Sequence, residues 1–498
     1  MLLSSHLANN YPFQKEEVYL MKKALPFVSL LLFLLFIPHR AEAAAILQEI
    51  KDIIKTEYIG EIRGNPDQAA SIEEVMNMLD PYSNYYSAET FNYYFNLLDM
   101  KQIGIGVVIE QHDQGLLVTN VFEHGSAFEQ GLEAGDIITK VDSVPLRGKS
   151  LEEGHALLLG DENTMVTLEI LKANGTTLVK TLTRKPFYLP NATGRLLYGN
   201  IGYIQLQSFS ADAADLIRKQ YEKLKRLGAS SFILDLQNNG GGYVQSAEEV
   251  IALFRDAKHA YRVKYSEANT EYYLHYGPEK SKYQLHPDGT LLVNLPDTVQ
   301  PIFDRSTKIL VNRYSASASE MTAAAAKDYD AAVIYGENTF GKSTMQGFYP
   351  LSDGSYLKLT IGEFFGPKGT MIRASGVTPD IQTGSNPIYQ AHYDAIAEQL
   401  VAYREMRALT GVPTNNTFKI TLNRPPGTLN ENDVELVALG GKKVDVALSK
   451  NGNQLFVTPK RPLNPGSEYM LIIHPTLKDR QNRPLEKGAY MRVTVKNQ

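Results

Sequence analysis

The sequence predicts a multidomain α/β protein with four parts: a small helical N-terminal region, a mainly β module, an α/β core and a C-terminal β-sandwich. The chain has 498 residues, too many for a single hydrophobic core. Its apolar residues recur first at helical spacing, then in short β-like runs, then in alternating strand-like and helical runs, and finally in β-like runs alone. Glycine, proline and asparagine mark the turns between the β-like runs.

Residues 44–100 are predicted to be the helical region. Isoleucines recur at helical spacing from Ile46 to Ile54, and a second apolar set extends from Ile72 to Leu79. Pro81 interrupts the helical pattern, which resumes in an aromatic stretch from Phe91 to Phe95. Such aromatic residues indicate packing in the core or packing against a second copy of the chain.

Residues 101–185 are predicted to form the compact β module, because short β-rich runs follow one another between glycine-bearing turns. Residues 186–410 alternate strand-like and helical runs, which is typical of an α/β core, and end in an amphipathic helix over 388–409. Gly411-Val412-Pro413 has the composition of a linker. Beyond it, residues 415–498 contain six or seven short strand-like runs, which favours a β-sandwich.

The first residues, 1–43, have the pattern of an export signal. Lys22-Lys23 precede fourteen mostly apolar residues, Ala24 to Ile37, and Ala41-Glu42-Ala43 supplies a small-residue cleavage site. Fourteen helical residues rise about 21 Å, short of the roughly 30 Å bilayer core, so a retained membrane tether is the weaker alternative. Met21 opens a more typical signal than the first methionine and is a candidate true start. We therefore expect a secreted or extracytoplasmic protein, in the cell envelope or beyond it, after signal cleavage.

The composition excludes several kinds of chemistry. The chain contains no cysteine, which rules out disulfides, thiol catalysis and cysteine-ligated zinc. Its net charge of −5 and the absence of a basic stripe disfavour nucleic-acid binding. We expect neither a metal nor a cofactor.

Three segments of the α/β core carry the residues suited to catalysis. They are Asp235 to Gly242, which ends in three glycines, Ser315 to Glu320, and Gly341 to Gln346. Each segment lies where a strand is predicted to give way to a loop. Because loops at the ends of α/β strands converge on ligand sites, we expect the three segments to meet.

Ser317 is the candidate nucleophile. It directly precedes an alanine-rich helix, and its spacing to Glu320 matches a capping box, so a serine that only satisfies a helix-end amide is the structural alternative. The same position suits acyl transfer, since free amides at a helix N-terminus stabilise an oxyanion. Backbone without side chains in the triple glycine can approach a substrate carbonyl, or it can form a tight turn.

A lysine is the candidate base, because none of the ten histidines lies in the three segments. Burial lowers the pKa of a lysine amine from about 10.4 and makes the amine a competent base near neutral pH. Lys342 lies in a glycine-flanked segment beside Phe340, and Gln346 four positions later can orient its amine. A solvated surface lysine is the alternative interpretation.

A nucleotide-binding motif overlaps the lysine segment. Residues Gly336 to Ser343 satisfy the P-loop formula, with Asp235 as a metal-binding acid. A P-loop must open a helix, however, and Gly347, Pro350 and a strand-like run from Ser355 to Thr360 follow instead. We therefore expect no nucleotide site here.

Together these segments resemble the carboxyl-terminal processing, or tail-specific, serine proteases, which pair a PDZ domain with a Ser-Lys peptidase core. The resemblance covers roughly residues 44–400. Besides the three segments it rests on five others: Leu79 to Ser83, Gly104 to Val107, Gly125 to Ala127, Gly131 to Asp136 and Gly376 to Asp380. It implies that the β module is a β-barrel-like PDZ domain and that the α/β core is a Ser-Lys protease core.

The resemblance also implies a role for each catalytic residue. Ser317 is the nucleophile, Lys342 the general base and Gln346 the residue that positions the lysine. The backbone amides of Gly241 and Ala318 form the oxyanion hole. The implied activity is that of a serine endopeptidase which cleaves exported proteins near their C-termini.

The implied PDZ domain captures the tail of a protein or peptide substrate through a loop of four residues and an apolar pocket, so apolar C-termini are expected. The loop residues are Gly104, Ile105, Gly106 and Val107. The family and the aromatic helical stretch also suggest a homodimer.

The sequence departs from the family pattern in the core and in the PDZ module, and it extends beyond the family at the C-terminus. Gln237 and Gly240 stand where the family usually has arginine and proline, and Leu159 stands where an arginine often couples PDZ occupancy to the active site. Whether PDZ binding gates this active site therefore stays open. Residues 415–498 resemble a bacterial Ig-like domain, notably in Leu463-Asn464-Pro465-Gly466.

Two functions remain to be weighed: a Ser-Lys endopeptidase, and a catalytically inactive PDZ and Ig-like scaffold that binds protein C-termini. A scaffold has no need of Ser317, Lys342 and Gln346 together, and all three are present. The sequence therefore favours the endopeptidase.

Overall fold

The computed structural model describes residues 43–497. The predicted signal segment, residues 1–43, lies outside the described residues except for its last position. None of the helices within 43–497 has the length and apolarity that crossing a bilayer requires.

The N-terminal helical region shares its hydrophobic core with the α/β core. A helix at residues 43–57 buries Ile46, Ile50 and Ile54 in the same cluster as the central strands. In the later aromatic stretch, Phe91 stacks on Tyr356 at 3.5 Å between ring centroids. Phe91 therefore packs within the chain, while Tyr93 in the same stretch is exposed, and the homodimer stays a prediction. The elements after the first helix are Pro66–Gln68, Ile72–Asn77, the strand Asn84–Tyr86 and the helix Ala88–Leu98.

The β module contains a six-stranded sheet around its own hydrophobic cluster. Two helices, Ser126–Glu129 and Leu151–Leu158, accompany the sheet. A separate two-stranded pair, Lys101–Gly104 with Lys185–Tyr188, joins the start of the module to its end. The strands of the sheet are Val107–His112, Gly115–Val121, Ile137–Val141, Val144–Pro145, Met165–Leu171 and Thr177–Thr183.

The α/β core is built on two sheets. The first is parallel except at one edge, and each of the three candidate segments begins at or shortly after the carboxyl-terminal end of one of its strands. Its strands, in spatial order, are Ala192–Leu197, Ile201–Leu206, Ser231–Asp235, Lys308–Val311, Val333–Gly336 and Ile381–Gln382. The helices of the core are Ala213–Arg226, Val244–Ala252, Ala318–Tyr329 and Pro387–Ala397. A short helix, Glu267–Glu271, lies between two strands of the second sheet.

The second sheet is antiparallel and lies beside the lysine segment. The long strand Tyr356–Phe365 is its centre and pairs with Thr344–Pro350, Asn84–Tyr86 and His259–Tyr265. The outer strands are Leu291–Asn294 and Tyr283–Leu285. Because the strand Asn84–Tyr86 comes from the N-terminal region, that region contributes directly to the sheet that supports Lys342.

The trailing helix is shorter than the sequence predicts. We expected it over 388–409, but it ends at Ala397. The chain then forms two short strands, Arg404–Glu405 and Leu409–Val412, which pair in parallel with Ala489–Val495 of the C-terminal module. The predicted linker is therefore part of a sheet. Pairing with the neighbouring strand satisfies the hydrogen-bonding groups of its backbone, and its Gly-Val-Pro sequence is unsuited to a helix.

The C-terminal module consists of two sheets that enclose one hydrophobic cluster. Its relation to bacterial Ig-like domains stays a prediction. The first sheet holds the two short strands just described with Val434–Ala438, Lys443–Val444, Glu468–Ile473 and Ala489–Val495, and the second holds Phe418–Thr421, Val446–Asn451 and Gln454–Pro459.

The C-terminal module is fixed against the α/β core. Met470 and Ile472 belong to the same buried cluster as core residues such as Tyr335. The fully buried ring of His392 accepts a hydrogen bond at Nδ1 from the Gly440 amide at 2.8 Å and bonds the Tyr198 carbonyl through Nε2 at 3.0 Å. Burial lowers the pKa of His392 to about 4, so the ring stays neutral at ordinary pH.

The shared core makes a first prediction. Truncation of Ile50, which is fully buried, to alanine should lower the free energy of unfolding by roughly 2 to 5 kcal/mol, because it opens a cavity in the core that carries the catalytic strands. Chemical denaturation followed by circular dichroism measures this. Gln48→Ala on the exposed side of the same helix is the control and should change stability by less than about 0.5 kcal/mol. An equally small effect of Ile50→Ala would contradict a shared core.

Candidate active site

The glycine-rich segment and the serine segment meet at the ends of neighbouring parallel strands. The side chains of Asn238 and Asn312 join them, since each side-chain oxygen accepts a hydrogen bond from the other residue at 3.0 Å. The Asn239 carbonyl accepts from the Ala316 amide at 3.0 Å and from the Ser319 hydroxyl at 2.8 Å. The expected meeting of these two segments is therefore observed.

The carboxylate of Glu320 joins the serine segment to the lysine segment. It accepts a hydrogen bond from the Ser317 amide at 2.8 Å, as half of a capping box. It also accepts from the amide of Gly341 at 2.6 Å, the amide of Lys342 at 2.9 Å and the hydroxyl of Thr339 at 2.6 Å. Burial raises the pKa of Glu320 above its ordinary value, while these four donors favour the ionised form. The nucleophile and base segments are thus held by one side chain.

The backbone of Ser317 is strained. Its φ of 56° and ψ of −110° lie in a region that residues with a side chain rarely adopt. Four other helices of the described chain begin after a serine whose side chain accepts from the helix, and every one of these serines has negative φ: Ser71, Ser87, Ser150 and Ser266. An ordinary cap does not require positive φ. The strain therefore argues against the purely structural interpretation of Ser317.

Gly241 lies against the nucleophile. A Cβ atom at this glycine would be 2.8 Å from the Cβ of Ser317 and 2.9 Å from the carbonyl oxygen of Ala316, and its φ is 105°. The Gly241 amide donates to Asn239 Oδ1 at 2.9 Å. Ala318 begins the helix Ala318–Tyr329, so its amide is among those without an intrahelical acceptor. Both predicted oxyanion donors therefore neighbour Ser317. The Gly241 amide is already hydrogen-bonded to a side chain.

Lys342 is a partly buried lysine whose amine has two hydrogen-bond acceptors. Its Nζ donates to Gln346 Oε1 at 2.7 Å and to the Thr344 carbonyl at 3.0 Å. Burial, helped by the charge of Lys358, lowers the pKa of Lys342 to about 8. The alternative of a solvated surface lysine is therefore wrong. In this structure no hydrogen bond joins the side chains of Lys342 and Ser317, both of which lie in the described part of the chain.

Gln346 is held by two threonines. Its Nε2 donates to the hydroxyl of Thr344 at 3.0 Å and to that of Thr360 at 3.2 Å, which directs its Oε1 toward the lysine. A β-bulge between Met345 and Gln346 changes the strand register at this point. Bulges of this kind re-aim side chains next to active sites.

A strand follows the lysine segment. Thr344–Pro350 begins two residues after Lys342 and pairs along its length with Tyr356–Phe365. A P-loop needs a helix here, so the structure excludes that alternative. Within residues 43–497 there is also no group of three or more metal-ligating side chains suited to hold an ion.

Sequence reasoning missed the contribution of the N-terminal region to the site. The ring of Tyr82 lies with its centroid 5.2 Å from Lys342 Nζ, and the Ser83 hydroxyl accepts from the Thr360 amide at 3.1 Å. Both residues belong to the Leu79 to Ser83 segment, which the family resemblance singled out without a role. A cavity of about 360 Å³ opens beside them. It is lined by Ile59, Gly60, Glu61, Tyr82, Gly341, Lys342, Ser343, Thr344, Thr360, Glu363 and Arg373.

The predicted tail-binding loop connects the strand Lys101–Gly104 to an edge strand of the β module. Ile105 is buried and its carbonyl accepts from the Ala127 amide at 2.9 Å. Gly106 has a φ of 80° and approaches Gly125 so closely that a Cβ would lie 2.7 Å from the Gly125 Cα. The strand Val107–His112 then forms the free edge of the sheet. Gly104 therefore ends one strand, Val107 begins the next, and Ile105 and Gly106 form the turn between them at a sheet edge.

Leu159 lies beneath this loop. A Cβ at Gly104 would be 3.2 Å from a methyl group of Leu159, so the leucine packs directly against the start of the loop. The charge at this helix end comes from Arg184, whose guanidinium donates to the carbonyls of Leu157 at 2.9 Å and Leu158 at 3.1 Å. Leu159 thus replaces the family arginine with an apolar contact.

The fold and the site are those of a serine-type peptidase, and comparisons with known protein families and proteins agree with this class. Residues 200–383 match the model of peptidase family S41, and residues 103–183 match that of the PDZ domain. A protein named "Probable CtpA-like serine protease" from Staphylococcus aureus is 27% identical over 375 residues, which is 75% of this chain and 68% of that protein. Its namesake from Staphylococcus epidermidis is 29% identical over 324 residues, 65% of this chain and 62% of the relative.

The chain is therefore a serine-type peptidase with a PDZ domain. Its matches to the peptidase family S41 model, to the PDZ model and to the CtpA-like serine proteases confirm the resemblance to the PDZ-containing carboxyl-terminal processing proteases.

Two of the solved structures that align with part of this chain are proteases. The photosystem II D1 C-terminal processing protease aligns with a TM-score of 0.41 and 21% identity, over 71% of this chain and 96% of that one. An S41 protease from Bacteroides fragilis aligns with a TM-score of 0.43 and 18% identity, over 69% of this chain and 92% of that one.

The glycine loop gives a paired prediction. Gly241→Ala should reduce kcat/KM by at least about a hundredfold, because its Cβ would collide with Ser317 and its positive φ is unfavourable for alanine. Gly240→Ala is the matched control, since nothing lies within 4 Å of a Cβ there and its φ is not positive. Steady-state kinetics on a peptide substrate compares the two variants. Equal activities would contradict the assigned contact between Gly241 and the nucleophile.

Proposed function

We propose that this chain is a Ser-Lys endopeptidase that cleaves exported proteins near their C-termini. Ser317 is the nucleophile, Lys342 the general base and Gln346 the residue that positions the lysine. The observation that carries the proposal is the strained backbone of Ser317, held by the same carboxylate that holds the backbone of Lys342. A side chain fixed in this way is pre-organised for reaction, and a mere helix cap gains nothing from the strain.

The chemistry follows from a neutral lysine amine. Lys342 takes the proton of the Ser317 hydroxyl while the serine Oγ forms a bond to the carbonyl carbon of the scissile peptide. The ammonium then gives that proton to the departing amine as the C–N bond breaks, which leaves an acyl-enzyme on Ser317. Water attacks this ester with Lys342 again as the base, and release of the new carboxyl terminus restores the serine.

The hydrogen bonds of Lys342 suit this role. A neutral amine has two N–H bonds and one lone pair, and Gln346 Oε1 and the Thr344 carbonyl accept both N–H bonds. The lone pair is thereby left for the serine proton. Because no hydrogen bond joins the two side chains, catalysis requires the serine hydroxyl and the lysine amine to come into hydrogen-bond contact when substrate binds, as is common for sites without substrate.

The oxyanion of the tetrahedral intermediate is stabilised by two amides in this proposal. The Ala318 amide lies at a helix N-terminus, where the helix dipole adds to its effect. The Gly241 amide exchanges its present acceptor, Asn239 Oδ1, for the substrate oxygen. The absence of a side chain at Gly241 lets its backbone lie close to Ser317, since a Cβ there would be 2.8 Å from the serine Cβ.

The PDZ domain captures the substrate tail in this proposal. The turn formed by Gly104, Ile105, Gly106 and Val107 offers backbone amides to a terminal carboxylate, and the free edge strand beside it can accept the tail as an added strand. Apolar C-termini are the expected ligands. The signal pattern in residues 1–43 supports export, and the C-terminal module acts as an Ig-like spacer or adhesion module on a secreted or cell-envelope protein.

The catalytic assignment is tested against the scaffold alternative by cleavage of peptides that end in small or apolar residues. The wild-type chain should cleave them, and Ser317→Ala and Lys342→Ala should each lower kcat/KM by at least about a thousandfold. Mass spectrometry of the products locates the cut. Unchanged cleavage in either variant overturns the assignment, and binding without cleavage by the wild type favours the scaffold.

The lysine base gives a pH dependence. Only neutral Lys342 accepts the serine proton, so kcat/KM should rise with pH, roughly tenfold per unit at low pH, to a midpoint set by its pKa of about 8. About a tenth of the enzyme is then in the active form at pH 7. Initial rates between pH 5.5 and 9.5 measure the midpoint. A rate that is flat across this range would rule out a titrating amine as the base.

A further inference from the structure

The aromatic ring of Tyr82 lies over the amine of the proposed base. The distance from its centroid to Lys342 Nζ is 5.2 Å, within the range of a cation–π interaction. The ring also lines the cavity beside Lys342. The hydroxyl of Tyr82 takes part in no hydrogen bond among the residues that the structure describes, so the ring face is the chemically relevant part of this side chain toward the lysine.

The turn that carries Tyr82 is rigidly attached to the sheet beneath the base. Asp80 Oδ1 accepts from the Tyr82 amide at 2.8 Å, and Asp80 Oδ2 accepts from the Ser83 hydroxyl at 2.9 Å. The Ser83 hydroxyl in turn accepts from the amide of Thr360, whose own hydroxyl accepts from Gln346. The ring and the glutamine that hold Lys342 are therefore connected through one chain of hydrogen bonds.

We propose that Tyr82 is a positioning residue for the general base, whose aromatic face stabilises the ammonium that Lys342 becomes on taking the proton of Ser317. The inference rests on the proposed Ser-Lys mechanism. The stabilised species is present after proton abstraction in both acylation and deacylation, so the ring acts where positive charge develops.

The charges around Lys342 explain why a ring is useful there. Lys358, on the neighbouring strand, opposes a second positive charge, while Asp80 and Glu320 favour it. The two carboxylates are largely engaged, since Asp80 binds the turn and Glu320 binds four other donors. The charged groups on the other walls of the cavity are Glu61, Glu363 and Arg373.

The ammonium itself lacks a full set of acceptors. It has three N–H bonds, and the hydrogen bonds of the described residues engage two of them, through Thr344 and Gln346. The third carries the proton that must pass to the leaving group, so a strong acceptor there would retain it. The diffuse negative potential of an aromatic face stabilises the charge without competing for this proton.

The experiment compares Tyr82→Leu, which removes the ring, with Tyr82→Phe, which keeps it. In the full chain, Tyr82→Leu should lower kcat/KM about tenfold and move the midpoint of its pH profile to lower pH, by up to about one unit, because the ammonium loses stabilisation. Tyr82→Phe should stay within about twofold of wild type. Tyr93→Leu, an exposed tyrosine of the helical region, is the control and should change neither quantity.

A second measurement does not require catalysis. In the Ser317→Ala background, the rate at which an amine-directed acylating reagent modifies Lys342 is followed against pH by mass spectrometry, with and without Tyr82→Leu. The titration midpoint of Lys342 should fall when the ring is removed. Thermal melting of each variant identifies one that fails to fold. If Tyr82→Leu fails to fold, Tyr82→Met, which also removes the ring, replaces it and is compared with Tyr82→Phe.

The outcomes separate the two proposals. An unchanged midpoint in Tyr82→Leu, or a Tyr82→Phe variant as impaired as Tyr82→Leu, overturns the role of the ring while the Ser-Lys assignment stands. Full activity of Lys342→Ala overturns the Ser-Lys assignment, whatever the amine titration shows. A lower kcat/KM in Tyr82→Leu with an unshifted midpoint in both measurements means a packing role only and also contradicts the inference.

Discussion

The carboxylate of Glu320 is the interaction on which the rest of the site depends. A charge buried without partners is strongly unfavourable, so the side chain persists in the core only because four donors converge on it. Those donors come from both the nucleophile segment and the base segment. The requirement to satisfy one buried charge therefore fixes the distance between two chain segments that are remote in sequence, and the strain at Ser317 is sustained by the same contacts.

The capping box shows what a single sequence can and cannot predict. The spacing of Ser317 and Glu320 predicted a helix start, and one half of that capping interaction is present. From the sequence, a helix cap and a catalytic nucleophile were alternative roles for Ser317. In the structure, Glu320 binds both the helix end and the lysine segment. Local periodicity predicted the helix Ala318–Tyr329 and the strands before it, because those depend on residues nearby in the chain. The second set of donors comes from about twenty residues away, and no local pattern encodes that contact.

The errors have the same origin. The expected helix over 388–409 ends at Ala397 because its second half finds a strand partner in Ala489–Val495, close to the far end of the chain. Tyr82 was recognised only as part of a family segment, since its contact with Lys342 spans 260 positions. The meeting of the serine and glycine segments was predictable because the parallel α/β pattern brings carboxyl-terminal strand ends together. The convergence of strand ends was thus accessible from the sequence, and long-range side-chain contacts were not.

Two lysines lie close to each other in this site, and their surroundings decide which one serves as the base. Burial lowers the pKa of both Lys342 and Lys358, and the positive charge of Lys358 lowers that of Lys342 further. Only Lys342 has a backbone fixed by Glu320 and an amine held by Gln346. Lys358 instead lies over the ring of Tyr94, 4.9 Å from its centroid, on the strand Tyr356–Phe365. A fold that brings a second cation beside a partly buried amine favours the neutral form that catalysis needs. The aromatic ring over Lys342 then offsets part of the cost of the ammonium that forms during the reaction.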